Sequence, residues 1–275
     1  DAYAPEVLWN DVAWPPGGNL AELFAYYYDA VPEGVINDRW IEPSGRRNVV
    51  TDALTQAAGD LIQLLWKHIP EEDKKLTFPG AHWYDFNTPE YAVFDTIQDK
   101  KWEATRGVGH SFGANRNERP QDIVTATELV HMLVDVVSKN GNLLIGIGPD
   151  EHGRIIAQQQ EPLHGLGAWM RDNGKVIRGS RPWTQPATET TDGTGVRFVQ
   201  QGGDVYAILL GLPGARTFAL RGVDGRSVDA AHIVGSRAKV GIGERDGMVE
   251  ITLPERVPVE PAYALHLGPG VLWNG

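Results

Sequence analysis

Thr125-Ala126-Thr127-Glu128-Leu129-Val130-His131-Met132-Leu133-Val134-Asp135-Val136-Val137-Ser138-Lys139-Asn140-Gly141-Asn142-Leu143-Leu144-Ile145-Gly146-Ile147 is the stretch on which the reading of the fold turns. Thr125 followed three residues later by Glu128 is a capping box, in which each side chain can satisfy a free backbone N–H of a first helical turn. Leu129, Leu133, Val134 and Val137 then recur at helical spacing and form one apolar stripe. Gly141 reads as the C-cap. Asn142–Ile147 is short and almost continuously apolar, as a parallel strand buried on both faces must be. A helix that runs straight into such a strand is part of a strand–helix–strand repeat.

The same alternation extends towards the N-terminus. Val7-Leu8-Trp9 reads as a buried strand, and Asn19 with Glu22 as the start of a helix that runs through Leu23–Tyr28 and stops before Pro32. Gly34-Val35-Ile36 reads as a second strand. Residues Arg46–His68 carry Val50, Leu54, Ala57, Leu61, Leu64 and Leu65 at helical spacing, so an amphipathic helix is expected there, before a charged break at Glu71–Lys75. Trp102–Val108 is a third strand, Asn142–Ile147 a fourth, and Gln158–Arg171 a last helix. Repetition of this kind implies a parallel sheet wrapped by helices. Asn10-Asp11, Asn37-Asp38-Arg39, Arg106-Gly107 and Pro149-Asp150 all follow strands, the place where a (β/α)8 barrel keeps its chemistry. About four strands are countable rather than eight, so residues 1–178 are expected to be part of a TIM-like barrel.

Beyond Gly179 the texture changes. Val196–Val199, Val205–Leu210, Thr217–Leu220, His232–Val234, Ala238–Ile242, Val249–Leu253 and Ala262–Leu267 are short runs separated by Gly, Asp and Pro. Their spacing predicts an antiparallel β-sandwich over residues 179–275, with the boundary near Arg178–Pro186.

Composition narrows the function. Over 275 residues, 25 Lys+Arg against 36 Asp+Glu leave a net charge of −11. That acidity argues against a protein that tracks phosphates and against a basic helix on a membrane surface. With 41% hydrophobic and 22% charged residues the chain is globular. Without cysteine there is no disulfide, no thiolate chemistry and no Cys-ligated zinc. The longest uncharged apolar run, around Val205–Ala215, is interrupted by Gly211 and Pro213 and is too short to span a bilayer. Nine Trp are many for this length; they suit sugar stacking as well as core packing. The opening Asp1-Ala2-Tyr3 enters a strand directly, so the chain is expected to be the remainder of a longer polypeptide, with any targeting signal in the preceding part.

Asp11 ends an apolar strand beside Trp9 and Trp14, where a carboxylate serves as a nucleophile or base, or else caps the next segment. Arg39 can fork onto a carboxylate or a sugar hydroxyl, or pair with Asp38 to stitch two loops. Glu90 sits in Trp83-Tyr84-Asp85-Phe86-Asn87-Thr88-Pro89-Glu90-Tyr91. A carboxyl among aromatics loses solvation and keeps its proton, as a proton donor needs, though a surface Glu at a helix start reads the same. Two carboxylates over one pocket with Trp and Arg form the constellation of glycoside hydrolysis. His82, His110 and His152 do not have metal-ligand spacing and read as loop residues. Gly107-Val108-Gly109 and Gly146-Ile147-Gly148-Pro149 lack the dinucleotide and P-loop fingerprints, and no Gly-x-Ser-x-Gly elbow occurs.

Leu8-Trp9-Asn10-Asp11, Asn37-Asp38-Arg39-Trp40, Asp85–Tyr91, Trp102-Glu103-Ala104-Thr105-Arg106-Gly107, Ser111-Phe112-Gly113-Ala114-Asn115 and Leu133–Gly148 stand in order. Together they resemble glycoside hydrolase family 29, the α-L-fucosidases, and in particular its bacterial members. The resemblance covers nearly the whole chain and is most specific at Asp135–Leu144. It implies a retaining hydrolase of terminal α-L-fucosyl residues that forms a covalent glycosyl-enzyme and needs no metal or organic cofactor. Asp11 matches the nucleophile and Glu90 the acid/base, with Glu103 the next candidate acid. Trp9 and Phe112 match aromatics that line the pocket for the fucose methyl, and Arg39 an arginine near nucleophile and sugar. Substrates would be fucosylated oligosaccharides or glycoconjugates.

The chain departs from the family in three respects. Roughly the first half of the barrel, with its sugar-binding His residues, is missing. Ala114 stands for a usual Tyr and Gly146 for a usual Asn, and Pro43–Phe78 is longer than in some relatives. Two other readings follow. One is a non-catalytic fragment or binding module that needs another chain to complete its site. The other is a hydrolase of a related sugar such as an α-L-galactoside. A barrel beginning at Val7–Trp9 would have open edges, so this polypeptide is expected not to be a stable active monomer by itself. A second polypeptide or a homo-oligomer would supply the missing strands.

Overall fold

The computed structural model describes residues 3–11, 14–15, 18–41, 83–236 and 239–275. The helix expected within Arg46–His68 and the Pro43–Phe78 insertion lie outside the described residues, as does His82. The chain divides into two compact units, Asp1–Val93 with Lys100–Thr105, and Phe94–Asp99 with Arg106–Gly275.

In the first unit β1 (Val7–Leu8) pairs in parallel with β2 (Val35–Ile36), and helix α1 (Leu20–Ala30) connects them. Asn19 caps α1: its side chain accepts from the Glu22 N–H at 3.2 Å. A parallel bridge from Asn37 to Phe86 passes the order on to β3 (Phe86–Asn87), which pairs in parallel with β4 (Lys101–Gly107). β3 is absent from the sequence reading because two residues carry no alternation to detect. Leu20, Phe24 and Tyr27 on α1 bury against Ile36 and Trp40, the period expected of an amphipathic helix. Tyr27 Oη donates at 3.0 Å to the carbonyls of Pro5 and Glu6, tying α1 to the entry of β1. Gly34 permits this, since a Cβ there would stand 2.5 Å from that hydroxyl.

In the second unit the Val108 N–H, just past β4, donates to the Gly146 carbonyl at the end of β5 (Gly141–Gly146). Helix α2 (Ala126–Ser138) begins with the capping box of Thr125 and Glu128. It ends at Lys139, with Asn140 in the left-handed region at φ 74°. Asn140 therefore takes the position assigned to Gly141, which instead opens β5. Helix α3 (Ala157–Ile177) runs six residues beyond the expected Arg171, because Asn173, Val176 and Ile177 continue its buried stripe.

The remaining strands are β6 (Arg181–Glu189), β7 (Gly195–Gln201), β8 (Asp204–Leu209), β9 (Thr217–Asp224), β10 (Ala231–Ile233), β11 (Lys239–Arg245), β12 (Met248–Thr252) and β13 (Tyr263–Pro269). They form one antiparallel sheet in the order β6-β7-β8-β13-β10-β11-β12-β9. Its two end strands meet through a Thr190–Leu220 bridge, so the sheet curls round its own core rather than forming two separate sheets. β6, with Pro182 and Pro186, is the strand the sequence did not show; proline fits an end strand whose register is broken between Pro182 and Ala187. Val196, Phe198, Ala207, Leu209, Phe218, Leu220, Ile251 and Leu265 alternate into that core. The opposite face, at Val199, Ile208 and Ala264, is covered by Val130, Val134, Trp169 and Val176 of α2 and α3. Trp169 Nε1 donates to the Ala262 carbonyl at 2.9 Å; emptying that site would cost about 3–5 kcal/mol. Asp135 joins Lys139 at 2.7 Å and Arg197 of β7, and so locks α2 to the sheet.

Candidate active site

The strand ends of the first unit converge on Arg39. Asn10 and Asn37 follow β1 and β2, and they clasp each other. The Asn10 N–H donates to Asn37 Oδ1 at 2.9 Å, and Asn37 Nδ2 donates to the Asn10 carbonyl at 2.7 Å. Asn10 Nδ2 also donates to the Arg39 carbonyl at 3.1 Å. Two adjacent strand ends are thereby held in register, and the residues after them, Asp11 and Arg39, are set side by side.

Arg39 is 5% exposed in its side chain, and its guanidinium is held on several sides. Nε donates to Thr88 Oγ1 at 2.8 Å and Nη2 to the Thr88 carbonyl at 2.9 Å. Nη1 donates to Asp11 Oδ1 at 3.1 Å and to Glu90 Oε1 at 2.5 Å. The Trp9 ring covers one face, with Cζ 4.9 Å from the ring centroid. Thr88 is fixed in turn by Asp38, whose Oδ1 accepts from the Thr88 N–H at 3.1 Å and from its hydroxyl at 2.6 Å. Asp38 is buried and devoted to this loop, so the expected Asp38–Arg39 stitching acts through Thr88.

The shared nitrogen limits the separation of the two carboxyls. Oxygens 3.1 Å and 2.5 Å from one nitrogen can be no more than 5.6 Å apart. Asp11 is 63% exposed and Glu90 17%. The setting of Glu90 differs from the aromatic one expected. Trp83 is exposed, Tyr84 lies under Lys100 Nζ at 4.1 Å and Phe86 is buried in β3, while the carboxyl itself meets a cation. A parallel bridge from Glu90 to Thr105 and the Tyr91 N–H donated to the Thr105 carbonyl hold Glu90 beside β4.

A third carboxyl joins the group. Glu103 of β4 accepts from Trp9 Nε1 at 2.8 Å. Burial pushes its carboxyl above the usual range, against the downward pull of the Trp9 hydrogen bond and the Arg39 charge. The sequence held Glu103 only as a substitute acid, since nothing local to Trp102–Gly107 reveals a partner 94 positions away.

The other marked positions sort differently. Phe112 is in the second unit, 42% exposed, and its ring carbon would lie 3.1 Å from a Cβ at Gly146. Gly148 admits the backbone of Gly113 and Ala114, which would lie within 2.3 Å of a Cβ there. Asp150 closes its own turn, accepting from the His152 and Arg154 N–H groups and from Arg154 Nε. His110 and His152 are exposed. Among the described residues no group of three or more His, Cys, Asp or Glu could hold a metal ion, and no helix is long and apolar enough to cross a membrane.

The family model described as Alpha-L-fucosidase matches residues 1–175. Tissue alpha-L-fucosidase of Macaca fascicularis is 27% identical over 220 residues, covering 78% of this chain and 39% of the relative. Alpha-L-fucosidase of Branchiostoma floridae is 29% identical over 227 residues, covering 80% and 42%. The crystal structure of Thermotoga maritima alpha-fucosidase in complex with fucose superposes with a TM-score of 0.73 at 32% identity, covering 96% of this chain and 52% of that one. The chain belongs to the α-L-fucosidase family, that is, to the glycoside hydrolases. It spans about half the length, or less, of the relatives it matches.

Proposed function

We propose that this chain carries the two reactive carboxyls of a retaining α-L-fucosidase that removes terminal α-L-fucosyl residues from fucosylated glycans. The observation that carries the reading is the shared donor, Arg39 Nη1, which keeps the Asp11 and Glu90 oxygens within 5.6 Å. Retaining glycosidases space their carboxyls by about 5–5.5 Å, whereas inverting ones need about 6.5–9.5 Å to admit a water. The fucose bound in the T. maritima relative supports the sugar class.

In this reading Asp11, the more exposed carboxylate, attacks the anomeric carbon as the bond to the leaving oxygen breaks. Glu90, protonated, gives its proton to that oxygen, and an ester between fucose and Asp11 forms. Glu90, now ionised, takes a proton from water. The water oxygen attacks the anomeric carbon, releasing fucose and the Asp11 carboxylate. Arg39 neutralises whichever carboxyl is charged. Trp9, over the face of Arg39, lines the sugar pocket. The two carboxyls suffice for the reaction, with no metal or organic cofactor.

Residues 1–178 are assigned to the C-terminal part of a (β/α)8-like catalytic domain and 179–275 to a C-terminal β domain. The parallel, in-order pairing of β1 to β4 supports the first assignment. Val7 of β1 is 48% exposed, which fits an edge that further strands cover. The rest of a longer polypeptide, a second chain or a symmetric partner would supply them.

The test is Asp11→Ala in the full-length enzyme. Turnover of an aryl α-L-fucoside should fall on the order of a thousandfold or more, and azide should restore part of it with inversion at the anomeric centre. Near-normal turnover overturns the reading.

A further inference from the structure

Trp9 and Arg39 hold the two reactive carboxyls, and what holds Trp9 is a group with no assigned part in the reaction. The chain of contacts runs from Glu103 Oε1 to Trp9 Nε1 at 2.8 Å, from the Trp9 ring to the face of Arg39 at 4.9 Å, and from Arg39 Nη1 to Asp11 and Glu90. Thr88 holds Nε and Nη2 of the guanidinium and the two carboxyls meet Nη1, while the Trp9 indole lies over its face. The indole N–H to Glu103 sets the rotation of that ring.

We propose that Glu103 is a positioning residue of this site: through the Trp9 indole N–H it keeps the ring over Arg39, and Arg39 thereby keeps Asp11 and Glu90 at reacting distance. The proposal rests on the retaining reading above. Several features favour this role over proton transfer. Glu103 makes its contact to the ring nitrogen, whereas Glu90 contacts the same cation nitrogen as Asp11. β4 carries Glu103 between the buried Trp102 and Ala104, an anchored place for a side chain that must not move. A partly buried acceptor is also worth more to an indole N–H than water would be.

The experiment uses the full-length enzyme with Glu103→Gln, Glu103→Leu, Trp9→Phe and the double variant Trp9→Phe/Glu103→Leu. Glutamine keeps an acceptor oxygen at the same reach, so Glu103→Gln should stay within about threefold of the parent in kcat. Leucine removes the acceptor, and kcat should fall on the order of 10–100-fold, because small misplacements of reacting groups cost that much. Aryl fucosides with good and poor leaving groups should lose equally, and KM should change little. Phenylalanine keeps an aromatic face and removes the N–H, so Trp9→Phe should fall at least as far as Glu103→Leu, and the double variant should be no worse than Trp9→Phe alone.

Multiplying losses in the double variant overturn the proposal. So does a Glu103→Gln variant as impaired as Glu103→Leu that also loses the basic limb of its pH profile, since that marks Glu103 as the proton donor. Should Glu103→Leu fail to fold, Trp9→Phe carries the test, with a further fall on adding Glu103→Gln as the refuting result. Asp11→Ala separates the two readings. An active Asp11→Ala sinks the site assignment, while an inactive Asp11→Ala beside a fully active Glu103→Leu sinks only the positioning role.

Discussion

Replacing Arg39 by Met removes one charge from between two carboxyls and leaves the straight stem of the side chain in place. Glu90, 17% exposed, loses a charge-assisted hydrogen bond worth about 1.5–3 kcal/mol. Asp11, 63% exposed, loses a pair of the surface kind, worth about 0–1 kcal/mol. With no shared donor between them, the two carboxyls are no longer tied within 5.6 Å of each other. At about 1.36 kcal/mol per factor of ten, the loss at Glu90 alone corresponds to a fall in kcat/KM of about 10–100-fold. The assay is aryl-fucoside hydrolysis by the full-length enzyme. Thr88 keeps its bonds to Asp38 in the variant, so the loop that carries Glu90 retains its anchor. A folded Arg39→Met enzyme with kcat/KM within about threefold of the parent refutes the bridging role.

Glu90→Gln should remove the basic limb while sparing substrates with good leaving groups, because those need little protonation; equal losses on both substrate types would point to another acid. Gly34→Ala places a methyl 2.5 Å from the Tyr27 hydroxyl and should cost about 1–3 kcal/mol in urea unfolding, with an unchanged midpoint refuting the close approach. Asp122 is held down to about 2 by the Arg119 side chain and backbone N–H. Its folded value lies below its unfolded one, so its contribution to stability is present above about pH 4 and fades as pH falls towards 2. Asp122→Asn should therefore unfold more readily than the parent at pH 6 and by a smaller margin at pH 3; an equal margin at both would contradict the sign.

Much of the frame depends on residues within four positions of one another, and that part was legible without coordinates. The Thr125–Glu128 box and the Asn19 cap form where their spacing placed them, because a cap needs only its own first turn. The strands at 7, 35 and 141 are found because short apolar runs between turn residues read as strands. Locally weak signals gave way to packing. Two prolines hid β6, and α3 continues through Gly174 and Lys175 because Val176 and Ile177 are buried against the sheet.

Their places after a strand or in a loop of marked composition singled out Asp11, Arg39 and Glu90 as candidates, and the family resemblance supplied the expected roles of nucleophile, cation and acid. Which atoms meet was decided only by the order of the strands. Arg39 reaches Asp11 across 28 positions, Glu90 across 51 and Thr88 across 49, while Trp9 reaches Glu103 across 94. Asp38 and Arg39 look equivalent in sequence, yet neighbouring side chains near a strand end leave in different directions. Asp38 is spent on Thr88 and Arg39 stands between the two carboxyls. A hydrogen bond exists only when donor and acceptor come within about 3 Å of each other, and for residues this far apart in the chain only the tertiary fold brings them there.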